Sequence, residues 1–289
     1  MVFIIAMAMP AFADWGNNVT ETTEFDKVDG MYIFDNTSTR AYLFVGDDSA
    51  LVIDTMYESS NVYDEVRKIT DLPLEVVLTH GHPDHIGGLA AFAGSTVYID
   101  EDDVYMLPAA TENIKTIKDG DKISVGDFEF EVIEIPGHTR GSVALLDKKS
   151  GVLITGDSVQ EGPVMMFDEE CDMETYAASM KKLMSYSSDA KYIFAGHHDY
   201  PNGPEFIEYC YKDATAYLNG ELEPVAITSW NGDATVYYGE HVSFQLPALE
   251  TVAQTPETGG NNILLYTAVI LLFASVIAGT AALTVRKNR

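Results

Sequence analysis

The sequence has few cysteines and few basic residues, and each shortage excludes a class of protein. Two cysteines, Cys171 and Cys210, are too few for a disulfide-stabilised scaffold or a cysteine-based zinc module. Only 17 lysines and arginines stand against 45 aspartates and glutamates, which gives a formal net charge of −28. A surface that acidic repels polyphosphate, so we expect no nucleic-acid partner.

Common nucleophile and phosphate-binding motifs are also missing. The sequence contains neither a G-x-S-x-G elbow nor a Walker-A P-loop. Gly156, Asp157 and Ser158 resemble the nucleophile block of GDSL-type esterases. That family, however, places the block near the N-terminus and needs a later Asp-x-x-His, which this chain lacks. A serine nucleophile at Ser158 is therefore disfavoured.

Both ends of the 289-residue chain look like targeting segments rather than parts of a fold. Residues 1–13 are apolar and end in Ala11-Phe12-Ala13, a pattern typical of a cleaved secretory signal peptide. Residues 263–285 form an uncharged apolar run, and about 20 such residues suffice to cross a bilayer. The basic residues of the tail, 286–289, would hold that end of a transmembrane helix at the cytoplasmic face.

The segment before the apolar run, residues 249–262, reads as a linker. It contains Thr255-Pro256-Glu257-Thr258-Gly259, which resembles the sorting signal of Gram-positive wall proteins. In such signals a sortase cuts between Thr and Gly and joins the protein to the envelope. The usual first residue is Leu rather than Thr255. We therefore expect an extracellular protein anchored to the cell wall by a sortase or to the membrane by its C-terminal helix.

Residues 14–248 remain as one domain, which we expect to be of the α/β class. Short apolar runs rich in β-branched residues predict strands. They lie at Ala50–Asp54, Glu75–His80, Thr96–Asp100, Phe128–His138, Ser142–Asp147, Val152–Asp157 and Lys191–His197. A helical stripe of apolar residues runs from Met173 to Met184, and a second runs from Phe206 to Tyr217. Glu223–Pro247 predicts a terminal hairpin.

Histidines and aspartates cluster at the ends of several of these predicted strands. The first cluster is a H-x-H-x-D-H string formed by His80, His82, Asp84 and His85. His138, Asp157 and His197 each follow a later predicted strand. Functional groups in α/β sheets gather at the carboxyl ends of strands, and imidazole and carboxylate are ligands that zinc accepts. The pattern therefore predicts a metal site.

This constellation resembles the metallo-β-lactamase superfamily of hydrolases over about residues 28–200. The resemblance implies a four-layer αββα sandwich and two zinc ions per chain. His80, His82 and His138 would hold the first ion, while Asp84, His85 and His197 would hold the second. Asp157 would bridge the ions, and Asp54 would support the first loop from outside. Manganese or iron stays open, because geometry and availability select the metal.

A bridging aspartate such as Asp157 is typical of the glyoxalase-II-like branch, which hydrolyses hydroxyacylglutathione, and of lactonases. The resemblance thus implies hydrolysis of a small-molecule ester, thioester or lactone by a hydroxide held between the metals. Asp84 would act as the catalytic residue that takes the nucleophile's proton. Two alternatives remain: a β-lactamase or phosphodiester hydrolase using the same site, and a surface binding protein with structural metals.

The sequence gives weaker indications of the substrate pocket than of the metal site. His198 and Tyr200 are neighbours of a predicted ligand along the chain and are weak candidates for substrate contacts. Arg140 could meet a substrate carboxylate, but an ion pair with one of the many acids is favoured. His241 lies in the terminal hairpin, where we expect a solvated surface residue.

Overall fold

The computed structural model describes residues 18–167, 171–229 and 232–248. The predicted signal peptide (1–13), linker with its sorting motif (249–262), transmembrane helix (263–285) and basic tail (286–289) lie outside the described residues and stay predictions. Among the helices of the described ranges, none combines the length and the apolar character needed to cross a bilayer.

Strands are the main regular structure of the described chain. In chain order they are β1 (Glu21–Glu24), β2 (Met31–Asp35), β3 (Arg40–Val45), β4 (Ala50–Ile53), β5 (Leu74–Val77), β6 (Thr96–Asp100), β7 (Ile114–Ile117), β8 (Lys122–Val125), β9 (Phe128–Glu134), β10 (Val143–Asp147), β11 (Val152–Gly156), β12 (Pro163–Met165), β13 (Tyr192–Ala195), β14 (Pro224–Ser229), β15 (Gly232–Tyr238) and β16 (Ser243–Pro247).

The helices are fewer and stand between the strands. They are α1 (Val62–Ile69), the single turn α2 (Pro83–Ile86), α3 (Met173–Leu183) and α4 (Glu205–Leu218). Three 3₁₀ helices, Gly87–Phe92, Glu101–Met106 and Met184–Tyr186, complete the set in the described ranges.

Two large sheets carry the fold. The first has the strand order β1-β2-β3-β4-β5-β6-β7, antiparallel up to β4 and parallel from β4 to β7. The second has the order β13-β11-β10-β9-β8 and is antiparallel except where β11 pairs with β13. Their facing sides form one apolar core that joins residues such as Tyr42, Phe44, Phe130 and Phe194.

The outer faces of the two sheets are covered by helices. Apolar residues of α1 and of the 3₁₀ helix Gly87–Phe92 pack with the outward side chains of the first sheet. Those of α3 and α4 pack with the outward side chains of the second sheet. The order helix, sheet, sheet, helix confirms the predicted αββα sandwich, because each sheet has two apolar faces to remove from water.

Helix α3 confirms the predicted apolar stripe. Met173, Tyr176, Ala177, Met180 and Leu183 are its buried apolar residues. The Asp172 side chain caps the helix by accepting a hydrogen bond from the Thr175 backbone N–H at 2.6 Å. The predicted second stripe forms α4, in which Cys210 and Ala214 are buried.

The C-terminal hairpin forms a larger element than the sequence indicates. β14, β15 and β16 make antiparallel pairs, and β12 adds a fourth strand parallel to β16. β12 has only three residues, too few to show an alternating pattern, and its partner lies far along the chain.

Strand β9 ends earlier than predicted. The sequence predicts a strand to His138, but β9 stops at Glu134. Pro136 has no N–H to donate to a neighbouring strand, and Gly137 adopts a φ of 146° that other residues rarely take. The break places His138 on a turn rather than in the ladder.

The packing between the two large sheets generates a stability prediction. Phe130 is fully buried, and its ring centroid lies 4.7 Å from that of Phe44. Phe130→Ala should lower the free energy of unfolding by about 3–5 kcal/mol, because the lost ring leaves a cavity. Urea denaturation measures the change, with Tyr238→Ala as the control. Tyr238 is 60% exposed and should cost about 0.5 kcal/mol or less. Equal losses would contradict the assigned core.

Candidate metal centre

The seven predicted ligands come from loops at the carboxyl ends of four strands. His80 and His82 follow β5, and Asp84 and His85 lie on α2 directly after them. Pro83 starts that helical turn at a position where its missing N–H costs nothing. His138, Asp157 and His197 follow β9, β11 and β13. One sheet supplies the first four residues, and the other sheet supplies the last three.

His80, His82 and His138 form the first group of potential ligands. One ring nitrogen from each lies within 4.8 Å of the others. The Nε2 atoms of His80 and His138 are 3.2 Å apart. Two nitrogens bound to one zinc in tetrahedral geometry stand about 3.3 Å apart, so this spacing fits a shared ion.

Asp84, His85 and His197 form the second group, within the same 4.8 Å limit. His197 Nε2 lies 3.1 Å from Asp84 Oδ2, and His85 Nε2 lies 3.8 Å from the same oxygen. A carboxylate and two imidazoles are a ligand set typical of zinc and of related divalent ions.

Asp157 lies between the two groups and contacts both. Its Oδ1 is 3.2 Å from His85 Nε2, and its Oδ2 is 3.1 Å from His197 Nε2. The same Oδ2 lies 3.5 Å from His138 Nε2 in the first group. This placement is the one expected of an oxygen ligand that bridges two ions.

The far nitrogens of three rings are held by oxygen acceptors. His138 Nδ1 donates to the Met165 carbonyl at 2.7 Å, and His197 Nδ1 donates to the Ser38 carbonyl. His85 Nδ1 lies 2.8 Å from Asp54 Oδ2. A neutral ring that donates through Nδ1 has its lone pair on Nε2, the atom that faces the other ligands.

Two buried atoms of the cluster lack hydrogen-bond partners in the described structure, namely His85 Nε2 and Asp157 Oδ1. They lie 3.2 Å apart. Buried polar atoms are nearly always satisfied, and a coordinated cation would satisfy both. The residues present therefore fit a metal ion.

Burial and neighbouring charges divide the histidines into two types. Burial lowers the pKa of His80 well below its usual value and that of His138 to about 4, so both rings are neutral ligands near pH 7. Burial opposes protonation of His197 too, but the carboxylates of Asp157 and Asp84 outweigh it and raise the pKa of His197 to about 10. Metal uptake must therefore displace a proton there.

Asp54, for which the resemblance implies a supporting role, contacts Thr79 and His85. It is fully buried and accepts the Thr79 N–H on Oδ1 and the Thr79 hydroxyl on Oδ2, both at 2.8 Å. The same Oδ2 meets His85 Nδ1. Asp54 has a φ of 62°, which residues other than glycine rarely adopt. Backbone outliers of this kind cluster at functional sites.

The two weak candidates for substrate contacts occupy different surroundings. His198 is exposed, and its ring stands against Gly162, where a Cβ atom would collide with it. The Tyr200 ring lies 4.0 Å from the Arg40 guanidinium carbon and contacts Phe194. Tyr200 is thus engaged with the protein's own side chains, and its substrate contact stays a prediction.

Other residues singled out in the sequence are placed clearly. Ser158 is 1% exposed, and its Oγ has no hydrogen-bond partner in the described structure, so no base activates it as a nucleophile. Arg140 forms the expected ion pair, with Asp102 at 3.9 Å. His241 is exposed and stacks on Tyr209. The Cys171 thiol donates to the His138 carbonyl at 2.7 Å, and no disulfide joins it to buried Cys210 within the described residues.

Sequence reasoning missed three contributors to the centre. Two are the backbone carbonyls of Ser38 and Met165, which hold His197 and His138. The third is Asp103, a buried carboxylate between two ligand loops. Backbone carbonyls carry no residue-type signal. Asp103 stands in a run of four acidic residues, 100–103, that look alike in sequence.

An αββα sandwich whose strand ends bring seven histidines and aspartates to one edge is the arrangement of a metal-dependent hydrolase. The sequence pattern of the Metallo-beta-lactamase superfamily matches residues 35–197, more than half of the chain. The chain belongs to this superfamily and is a metal-dependent hydrolase.

Curated relatives include several named hydrolases. The probable metallo-hydrolase YqgX of Bacillus subtilis is 27% identical over 199 residues, which cover 62% of this chain and 92% of the relative. The hydroxyacylglutathione hydrolase GloC of Haemophilus influenzae is 27% identical and covers 53% and 81%. An acyl-coenzyme A thioesterase of Homo sapiens is 27% identical and covers 50% and 66%.

Solved structures share the fold. A metallo-β-lactamase family protein from Thermus thermophilus has a TM-score of 0.52 at 18% identity and covers 68% of this chain and 84% of its own. A metallo-β-lactamase from Pontibacter korlensis has a TM-score of 0.56 at 18% identity and covers 68% and 98%. At these identities the likeness concerns the fold alone.

The position of Asp157 generates a prediction about metal content. Asp157→Ala should leave the fold largely intact while lowering zinc content and turnover together, because the oxygen that contacts both groups is lost. Metal analysis after gel filtration, with circular dichroism for the fold, measures this. Asp147→Ala is the control, since Asp147 is equally buried but stands at the opposite end of the β10–β11 hairpin. Unchanged zinc stoichiometry in Asp157→Ala would contradict the bridging role.

Proposed function

We propose that the protein is a dinuclear zinc hydrolase that cleaves acyl thioesters of small molecules, with esters and lactones as related substrates. The observation that carries the proposal is Asp157, whose two oxygens reach nitrogens of both ligand groups. An aspartate in that place joins two metal positions into one centre.

The number of ligands favours catalysis over a structural role. Structural zinc sites are usually closed by four protein ligands around one ion. Here seven side chains serve two positions, with Asp157 shared between them. With Asp157 counted for both, each position has four protein ligands, and zinc in catalytic sites can expand to five, which leaves one place for water or substrate. When bound, the metal ions supply an activated water and polarise the substrate carbonyl.

The chain's own residues have separate tasks in this proposal. The Asp84 side chain is 20% exposed, against 7% for Asp157, so Asp84 is the carboxylate with a side open to solvent and substrate. Asp84 would accept the nucleophile's proton and return it to the leaving group. His197 holds Asp84 from one side through the 3.1 Å contact, which keeps the accepting oxygen in place.

The choice of thioesters is supported by the relatives. Two of them are named for hydrolysis of hydroxyacylglutathione and of acyl-coenzyme A, both of which are thioesters. A thiolate is a good leaving group, so one proton carrier such as Asp84 is enough for this reaction. Exposed His198, next to the ligand His197, remains our candidate for a substrate contact.

We also propose that the enzyme acts at the outer surface of a Gram-positive cell. The support comes from the sequence alone: the Ala-x-Ala pattern at 11–13, the Thr255–Gly259 motif and the apolar run at 263–285. A sortase or the membrane would then hold the hydrolase domain outside the cell.

A substrate panel combined with metal removal tests the proposed reaction. Purified protein should contain about two zinc ions per chain and hydrolyse hydroxyacylglutathione or acyl-coenzyme A faster than a lactone, a β-lactam or a phosphodiester. Excess EDTA should abolish turnover, and added zinc should restore it, because the metals supply the nucleophile.

Two results would contradict the proposal. Full turnover in excess EDTA, with no metal bound, would exclude the metal mechanism. A preparation with two zinc ions that leaves every substrate of the panel intact would favour a binding protein with structural metals.

A further inference from the structure

We infer that Asp103 is a positioning residue for the first metal group: its buried carboxylate ties the loop of His80 and His82 to the loop of His138. The inference rests on the proposed metal centre and adds to it a residue that touches none of the reacting atoms.

The Asp103 carboxylate accepts hydrogen bonds from both loops. It is fully buried, in the 3₁₀ helix Glu101–Met106. Its Oδ2 accepts the Gly81 N–H and the Thr139 hydroxyl, each at 2.8 Å. Its Oδ1 accepts the Gly141 N–H at 2.9 Å. An ionised carboxylate can only accept, and bonds to it are stronger than neutral ones, so three donors hold it firmly.

The three donors stand beside the ligands themselves. Gly81 lies between His80 and His82 in the chain, and Thr139 follows His138 directly. The His138 turn is closed by bonds of its own, from the Gly137 N–H to the Thr139 carbonyl at 2.9 Å and from the Thr139 N–H to Ser142 Oγ at 3.0 Å. Asp103 therefore accepts its Thr139 hydrogen bond from a turn that is already held by hydrogen bonds of its own.

The two loops that Asp103 joins belong to different sheets, so its hydrogen bonds connect the two sheets at the metal centre. His80 and His82 follow β5 of the first sheet, whereas His138 follows β9 of the second. A small slide of one sheet against the other would change the 3.2 Å spacing between His80 Nε2 and His138 Nε2. A shared carboxylate between the loops opposes that slide.

Glycines permit the close approach that this arrangement needs. A Cβ atom at Gly141 would lie 2.7 Å from Asp103 Cγ, and one at Gly81 would lie 2.8 Å from Met106 Cβ. The 3₁₀ helix that carries Asp103 thus packs directly on the backbone of both loops.

Asp54 provides the matching case for the other group. It holds Thr79 and the ring of His85, which belongs to the second group. Asp54 contacts a ligand ring directly, whereas Asp103 acts through Gly81, Thr139 and Gly141. Asp54 thus acts directly on the second group and also reaches the first through Thr79, whose hydroxyl lies 3.1 Å from His80 Nδ1.

The test is the zinc affinity of Asp103→Asn, measured on the purified full chain by competition with a chromophoric chelator. The amide NH2 cannot accept, so it must face either the Gly141 N–H or the Gly81 N–H, and the bond to that loop is replaced by a repulsive contact between two donors. We expect one of the two zinc affinities to weaken about 10- to 100-fold, the range usual for residues that orient metal ligands. Asp54→Asn should weaken the zinc position that includes His85, because its direct contact with that ring is lost, and the double variant should lose more affinity than either single variant.

A control separates positioning from general stability. Asp213 is also buried and accepts three backbone N–H groups, from Glu240, His241 and Val242, none of which is a predicted ligand. Asp213→Asn should lower the melting temperature as Asp103→Asn does but leave both zinc affinities within about twofold. If Asp103→Asn fails to fold, Thr139→Val removes a single hydroxyl donor and should show a smaller loss at the same zinc.

The possible outcomes distinguish failure of the Asp103 inference from failure of the proposed function. The inference would be overturned if both zinc affinities were unchanged in Asp103→Asn or Thr139→Val while the wild type still bound two zinc ions. The proposed function would then still stand. Equal zinc losses in Asp103→Asn and Asp213→Asn would also overturn it. A wild-type protein that binds no zinc would overturn both proposals.

Discussion

Ring nitrogens that face one another across a buried pocket are the constraint on which the rest of this structure depends. His80 Nε2 and His138 Nε2 are 3.2 Å apart, and buried His85 Nε2 and Asp157 Oδ1 have no hydrogen-bond partners in the described chain. Buried polar atoms are nearly always satisfied, and a cation between these atoms would satisfy them. The surrounding hydrogen bonds therefore hold these side chains in positions from which they can bind a metal ion.

The pocket exists only because two sheets are packed together. One sheet carries the His80–His85 loop, and the other carries His138, Asp157 and His197. The apolar core between the sheets thus has a functional role, since it fixes the distance between the two halves of the site. The free energy gained by burying that core offsets the cost of burying polar side chains that have no hydrogen-bond partner in the described protein.

Much of the fold follows from local sequence signals. The α3 stripe, the central strands and the H-x-H-x-D-H string are local patterns, and the structure confirms their placement. β1 to β3 were not predicted: β1 is short and exposed, whereas β3 is a buried and mostly apolar run of the same kind as the predicted strands. β12 pairs across a long stretch of chain, and β9 ends where Pro136 and Gly137 interrupt the ladder. Non-local pairing leaves little trace in a window of residues.

Residue patterns alone identify the kinds of ligand and their placement after strands, because the chemistry of a metal site restricts residue types. The packing of the two sheets was needed to show that the carbonyls of Ser38 and Met165 hold two rings and that Asp103 joins two loops. These are contacts between distant parts of the chain. A backbone oxygen is the same in every residue, and an aspartate's partners depend on where the sheets bring it.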